Sequence, residues 1–483
     1  MVDCPRYDAG FETLHERDEH VRSHDRPSKC PERGCFYGEI GFPNDRNLSR
    51  HISLCHADPA PDKFIFPKLS SSKLPTVVER TKFREAIEQE DLGLIRDLIR
   101  TNGSLKYHLT LDGYTGLHHA AKHGKKQSAQ ILLDCGSNIG AVGKSGTALN
   151  LACYWGQTAM VQFLLLNSRR KEDVNSKDSK GKNPLASIAK PSHVAARLEI
   201  VRLLLEDGRV FADSKNHDGR TPLSLAAVNK GSDVAKVLKM LLEHNGIDVN
   251  AKDNKGRTPL SYAAREGTLT ALNALLEHGA GIDVDVRDNG GRTPLSWAVV
   301  RGIGGFRRFN DLDEMVEALI QHGGVDIDAK DNAGRTPLSW AADMAHVSVV
   351  RMLLNHGVRV GVNAQDNGGR TPLSWAAEKN HPSVVQLFLQ HGLGVDVNAK
   401  DAIGRTPLSW AAGRTPPPPW AATGQFSEAA LVVKLLLEHG GTEVNARDNR
   451  GRTPLSWAAA RTDPEKDGVI KALVERGGVG GVP

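Results

Sequence analysis

Aromatic residues are scarce in this chain, at 5% of 483 residues. That argues against a large, aromatic-rich enzyme core. No apolar run approaches the ~18 residues that a membrane-crossing helix needs. The start, MVDCPRYDAG, has no basic region followed by an apolar core, which predicts no signal peptide. An intracellular, reducing compartment follows as the expectation, with cytoplasm and nucleus equally open. There are six Cys, and four of them fall in the first sixty residues. No Walker loop, no G-x-G-x-x-G opening a helix after a strand and no G-x-S-x-G elbow is found, so no catalysis is expected. What the chain does have is glycine, at 48 residues, and seven Trp, more than its Tyr or its Met. Few aromatics, excess glycine and clustered Trp point to a sequence written by repetition.

The repeat is explicit. The string GRTPLS starts at Gly219, Gly256, Gly291, Gly334, Gly369, Gly404 and Gly451, with degenerate versions from Gly113, Ser145 and Gly181. Units are named here by the Leu of that motif: Leu117, Leu149, Leu185, Leu223, Leu260, Leu295, Leu338, Leu373, Leu408 and Leu455. Their spacings are 32, 36, 38, 37, 35, 43, 35, 35 and 47. Each unit reads as a turn and two short helices. In the Leu260 unit, Thr258 is a natural N-cap and Pro259 a first helical residue. Ala263 and Ala264 allow close helix packing. Leu272, Leu275 and Leu276 mark a second helix, which ends at His278-Gly279. The following stretch to Gly291 reads as an extended hairpin loop.

These motifs, T-P-L-x-x-A-A and L-L-x-H-G, resemble the ankyrin repeat. The resemblance covers 82–483 and implies an all-α solenoid of about eleven helix-turn-helix units with hairpin loops. Phe83, Ala86, Ile87, Leu94, Ile95, Leu98 and Ile99 form an N-terminal cap, and Val469–Val474 the last second helix. One departure recurs: the residue after TPL is Ser, as in Ser296 and Ser339, where the family usually has His. Two inserts, 303–310 and 413–422, break the rhythm. The second, rich in Pro, reads as an exposed polyproline loop. The His at second-helix ends (His244, His278, His322, His356, His391 and His439) are expected to cap carbonyls. Asp253/Arg257 and its five counterparts, always four apart, are expected to form an alternating-charge ladder. Trp297, Trp340, Trp375, Trp410 and Trp457 share one repeat position, which Tyr262 and Leu225 hold elsewhere. Packing between units is the expectation for them.

The first sixty residues differ. Cys30-x4-Cys35-x6-Phe42-x5-Leu48-x2-His51-x4-His56 resembles the two-cysteine, two-histidine zinc finger, a small ββα fold. Thiolates and imidazoles suit tetrahedral Zn²⁺, with Cys30, Cys35, His51 and His56 as ligands and His56 favoured over its neighbour Cys55. Upstream, Cys4, His20 and His24 follow finger spacing. Tyr7 stands where a second Cys belongs, so this second metal site is expected to be weak. The expected organisation is a degenerate finger at 1–27, a finger at 28–57, a linker at 58–81 and the array. Cys135 and Cys153 lie in the array and read as buried apolar residues.

Charge bears on the partner. Residues 1–60 carry 8 Lys+Arg and 11 Asp+Glu, a net of −3, and the remainder carries +8. A nucleic-acid reader should present a basic face, although Asn44, Asn47 and Arg50 occupy base-reading positions. The favoured reading is a non-catalytic protein-interaction scaffold with a structural zinc finger. A nucleic-acid-binding regulator with an ankyrin arm is the alternative. The combination of fingers and TPLSWAA repeats is similar to modules of filamentous-fungal proteins. Candidate contacts on the concave face are Lys255, Arg265, Glu266, Val299, Arg301, Met344, Glu378, Lys379 and Arg450.

Overall fold

The computed structural model describes residues 75–480, apart from 108–113, 189–193, 232, 280, 301–311, 357–359, 392–393 and 414–427. Both finger motifs, the 303–310 insert, nearly all of the polyproline insert and Arg301 therefore lie outside the described residues. The chain divides into two compact units, Met1–Glu79 and Arg80–Pro483. Among the described residues the structure is helical with no strand. The hairpins are tight turns with one isolated bridge, between Gly143 and Gly146.

The first described helix, Val77–Gln89, begins inside the stretch expected to be linker. A reciprocal cap sets its start. Glu79 N donates to Thr76 Oγ1 at 3.2 Å, and Thr76 N donates to Glu79 Oε2 at 2.7 Å. With Leu92–Thr101 it forms the cap unit, and Phe83, Ala86, Ile87, Ile95 and Ile99 are buried. Leu94, one of the expected core residues, is instead 40% exposed.

The repeated unit follows its local signals. Thr258 is extended and accepts Ser261 N at 3.2 Å, Pro259 opens the helix Pro259–Glu266, and Gly267 closes it at φ +69°. The same Thr–Ser bond recurs at Thr221, Thr293, Thr336, Thr371, Thr406 and Thr453. The second helix, Leu269–His278, buries Ala271, Leu272, Leu275 and Leu276. From unit to unit, first helices pack on first helices and second helices on second helices. One apolar core therefore runs the length of the array, and its stability resides in interfaces between neighbours.

The hairpins explain why Asp and Arg keep an offset of four. Asp Oδ1 accepts the backbone amide of the Arg: Asp253 from Arg257 at 2.8 Å, Asp331 from Arg335 at 3.0 Å, Asp448 from Arg452 at 2.9 Å. The expected charge ladder is thus first a turn-closing bond. Ion pairing follows that offset at Asp253, Asp401 and Asp448. Arg335 and Arg370 turn instead to Asp343 at 2.9 Å and Glu378 at 2.7 Å.

The glycine of every GRTP turn but the last has two constraints. Gly334 sits at φ +77°, and a Cβ there would lie 2.7 Å from Asn367 N of the next unit. This close approach lets Asn367 N donate to Ala333 O at 2.9 Å. The Asn side chains then bond along the array: Asn289 Nδ2 to Asn254 O, Asn332 Nδ2 to Asn289 O, and Asn367 Nδ2 to Asn332 O, at 2.9–3.2 Å. Ala402 stands at the next Asn position and interrupts this ladder, which Asn449 resumes.

Candidate partner-binding surface

Several recurring side chains of the repeat join neighbouring units. From the Leu223 unit onward, the join is a stack of guanidinium groups and rings. Arg335 lies 3.5 Å from the ring centre of Trp340 in its own unit and 4.0 Å from that of Trp375 in the next. Arg370 is likewise shared by Trp375 and Trp410, and Arg405 by Trp410 and Trp457. Arg220 and Arg257 flank Tyr262 in the same way. Five of the rings also donate to the hairpin Asp nine residues earlier. Trp297, Trp340, Trp375 and Trp410 reach Asp Oδ2 at 3.0–3.1 Å, and Tyr262 reaches Asp253 at 2.6 Å. At the last unit Arg452 takes Asp448 Oδ2, and Trp457 Nε1 has no hydrogen-bond partner among the described residues. The Trp position is therefore an inter-unit packing site, as its occupancy by Tyr and Leu suggests.

This polar stack is electrostatically closed. Burial opposes the charge of Asp253, but bonds from Tyr262 and Arg257 prevail and hold its carboxyl below the usual range. Burial, helped by the bond to Asp253, pushes the Tyr262 phenol up to about 12. Burial also draws Arg335 below the usual arginine value.

The degenerate units are joined differently. His118 bonds Thr115 through Nδ1 and reaches Gly146 O of the next turn through Nε2 at 3.1 Å. Asn150 does the same work, accepting Thr147 N and donating to Lys182 O at 3.1 Å. Serine is too short for this bridge, and the Arg–Trp stack stands where the bridge is lost. Beside His118 opens a cleft of about 390 Å³, lined by Lys122, Lys144, Tyr154, Trp155, Lys180 and Lys182 among others. No member of that lining was singled out from sequence. The loss of the GRTPLSW pattern in these three units was its signal.

The candidate contacts fall into separate groups. Lys255 and Arg450 are exposed at hairpin tips. Arg265 and Glu266 are partly exposed at the end of a first helix and pair at 3.6 Å. Met344 is half-buried and packs on the core. Glu378 and Lys379 are partly exposed, with Glu378 bonded to Arg370. Val299 is a correction: it is fully buried. It holds the place of Ala264 and Ala342, four residues after the motif Leu, and therefore faces the core. The expected capping by second-helix His is also revised. His322 Nε2 bonds Leu276 O, but that carbonyl belongs to the preceding unit's second helix. Nδ1 of His244, His356, His391 and His439 is buried without a hydrogen-bond partner. Cys153 is buried, and burial pushes its thiol far up; Cys135 ends its helix half-buried.

The family models that match this chain agree with this architecture. The family described as "Ankyrin repeats (3 copies)" matches residues 83–178, 165–253, 235–308 and 307–366. "Ankyrin repeats (many copies)" matches 353–411, and "Ankyrin repeat" matches 403–449. The chain belongs to the ankyrin-repeat family, a class of protein-interaction scaffolds. It is 30% identical over 89 residues to the potassium channel AKT3 of Oryza sativa subsp. japonica, a stretch covering 18% of this chain and 10% of the channel. The chain thus spans about a tenth of that relative's length. Among solved structures, the ankyrin repeat domain of Bcl-3, a unique member of the IkappaB protein family, is similar at 29% identity and a TM-score of 0.40. The match covers 48% of this chain and 94% of that one. No described helix is long and apolar enough to cross a membrane.

Proposed function

We propose that this chain is a non-catalytic scaffold that holds a protein partner with its hairpin tips and the exposed ends of its first helices. One observation carries the reading. In successive units the residue before the hairpin glycine has one backbone role, its carbonyl accepting the next unit's amide, as at Asp218, Lys255, Gly290, Ala333 and Ile403, and Arg450 holds the same place in the last described hairpin. Its exposed side chain nevertheless changes from unit to unit. Positions that are structurally free and chemically varied are where a repeat surface gains specificity. Lys255 and Arg450 are tip contacts. Arg265, Glu266, Met344, Glu378 and Lys379 are helix-end contacts, and Arg301, outside the described residues, is a further contact by its place in the repeat sequence. The test compares proteins captured by the full chain and by Lys255→Glu/Arg450→Glu. Loss of a partner by the folded variant supports the reading. An unchanged partner set refutes tip recognition.

Ahead of the array, residues 28–57 fold as a finger around Zn²⁺ held by Cys30, Cys35, His51 and His56. Cys4, His20 and His24 of the degenerate finger bind metal more weakly. The order and spacing of thiolates, core residues and imidazoles support this. The net charge of −3 over residues 1–60 favours a structural or protein-contacting finger over a DNA reader. Zinc quantification on the full chain, with Cys30→Ser as control, should show one zinc lost on substitution.

A further inference from the structure

We propose a metal site within the array itself, in which Glu88, His119 and His123 hold one divalent transition ion of the zinc type and tie the cap unit to the Leu117 unit. His119 and His123 are four residues apart on the helix Gly116–His123, so they share a face. Glu88 comes from the last turn of the neighbouring helix Val77–Gln89. One donor atom from each lies within 4.8 Å of the other two, and His123 Nε2 is 3.4 Å from Glu88 Oε1. Donors around one zinc, at about 2.0–2.2 Å from the ion, sit roughly 3–3.5 Å apart. Small side-chain rotations close the cluster to that size.

A second observation is independent of this spacing. Both ring nitrogens of His119 are buried and have no hydrogen-bond partner among the described residues. A buried polar atom without a partner is costly, and an ion in the cluster would satisfy one of them. The adjacent His118 differs, because both its nitrogens are bonded. Access is open, since the side chains of His123 and Glu88 are 34% and 38% exposed. Arg84 contacts Glu88 at 3.8 Å but is 48% exposed and free to swing into solvent. Two imidazoles and a carboxylate are a zinc ligand set that leaves one position for water.

The test uses the full chain carrying Cys30→Ser and Cys35→Ser, which removes the thiolates of the finger motif. ZnCl₂ binding is measured by calorimetric titration in this background and after adding His123→Ala or Glu88→Gln, with Glu85→Gln as control. Both added substitutions should weaken one binding event at least about tenfold, and the control should leave it unchanged. His123 is surface-accessible, and circular dichroism verifies that the array remains folded. Titrations that are the same with and without His123→Ala would overturn the site, as would a background chain that takes up no zinc. The finger is scored separately by restoring Cys30 and Cys35.

Discussion

The Arg–Trp stack makes a quantitative claim about Arg335. Its guanidinium is buried between two rings, donates to Ser339 O at 3.2 Å and to Asp343 Oδ2 at 2.9 Å, and faces a carboxylate that is 8% exposed. Each ring contact is worth about 1 kcal/mol in such a partly desolvated setting. Stranding a buried carboxylate costs about 3–5 kcal/mol. Lys379 Nζ stays 3.9 Å from Asp343, which tempers the second cost. Arg335→Ala should therefore destabilise the joint between the Leu338 and Leu373 units by about 4 kcal/mol. Arg335→Lys keeps a charge but not the planar fork, and should cost about 1–2 kcal/mol. Since an array is coupled mainly through neighbours, the loss should be local. Hydrogen exchange followed by mass spectrometry, on peptides covering 331–343 and 366–378, measures it directly. Wild-type exchange rates in Arg335→Lys, or a loss spread evenly over all units, would refute the reasoning.

Other perturbations test other joints. Ala402→Asn should complete the amide ladder by donating to Asn367 O and raise stability by about 0.5–1 kcal/mol, measured by urea unfolding. Gly334→Ala places a Cβ at φ +77° and 2.7 Å from Asn367 N, so a cost of at least about 2 kcal/mol is expected in the same assay. The Tyr262 phenol is raised in the fold, so its contribution is present below pH 10 and is lost as pH rises toward about 12. Ultraviolet titration of wild type against Tyr262→Phe should show that phenol ionising near 12, and a transition near 10 would contradict its burial. Trp340 and Trp410 are 8% and 7% exposed, so versions of the chain keeping either as the sole Trp should resist iodide quenching.

Much of the unit was legible because its signals are local. Thr258, Pro259 and Gly267 act within one turn of their own helix, and Leu272, Leu275 and Leu276 report one face. The misreadings share a cause. Val299 looked like a varying surface position, but counting from Leu295 places it at the buried second Ala. The Asp and Arg of each hairpin looked like charge partners, whereas the offset of four serves a backbone amide first. Leu94 carries helical spacing, yet in the cap unit it is 40% exposed, because the apolar face of its helix is centred on Ile95 and Ile99.

By itself the sequence determined the repeat, its register, and its helix starts and stops. Those features depend on residues a few positions apart. Tertiary structure alone decided which groups meet across units: Arg335 between Trp340 and Trp375, Asn367 on Asn332, and Glu88 beside His119 and His123. Apart from Arg335 and Trp340, which share a unit, these partners are about 30 to 40 residues apart. From the Leu223 unit onward, the hairpin glycines let the next unit dock within hydrogen-bonding distance, as Gly334 does for Asn367.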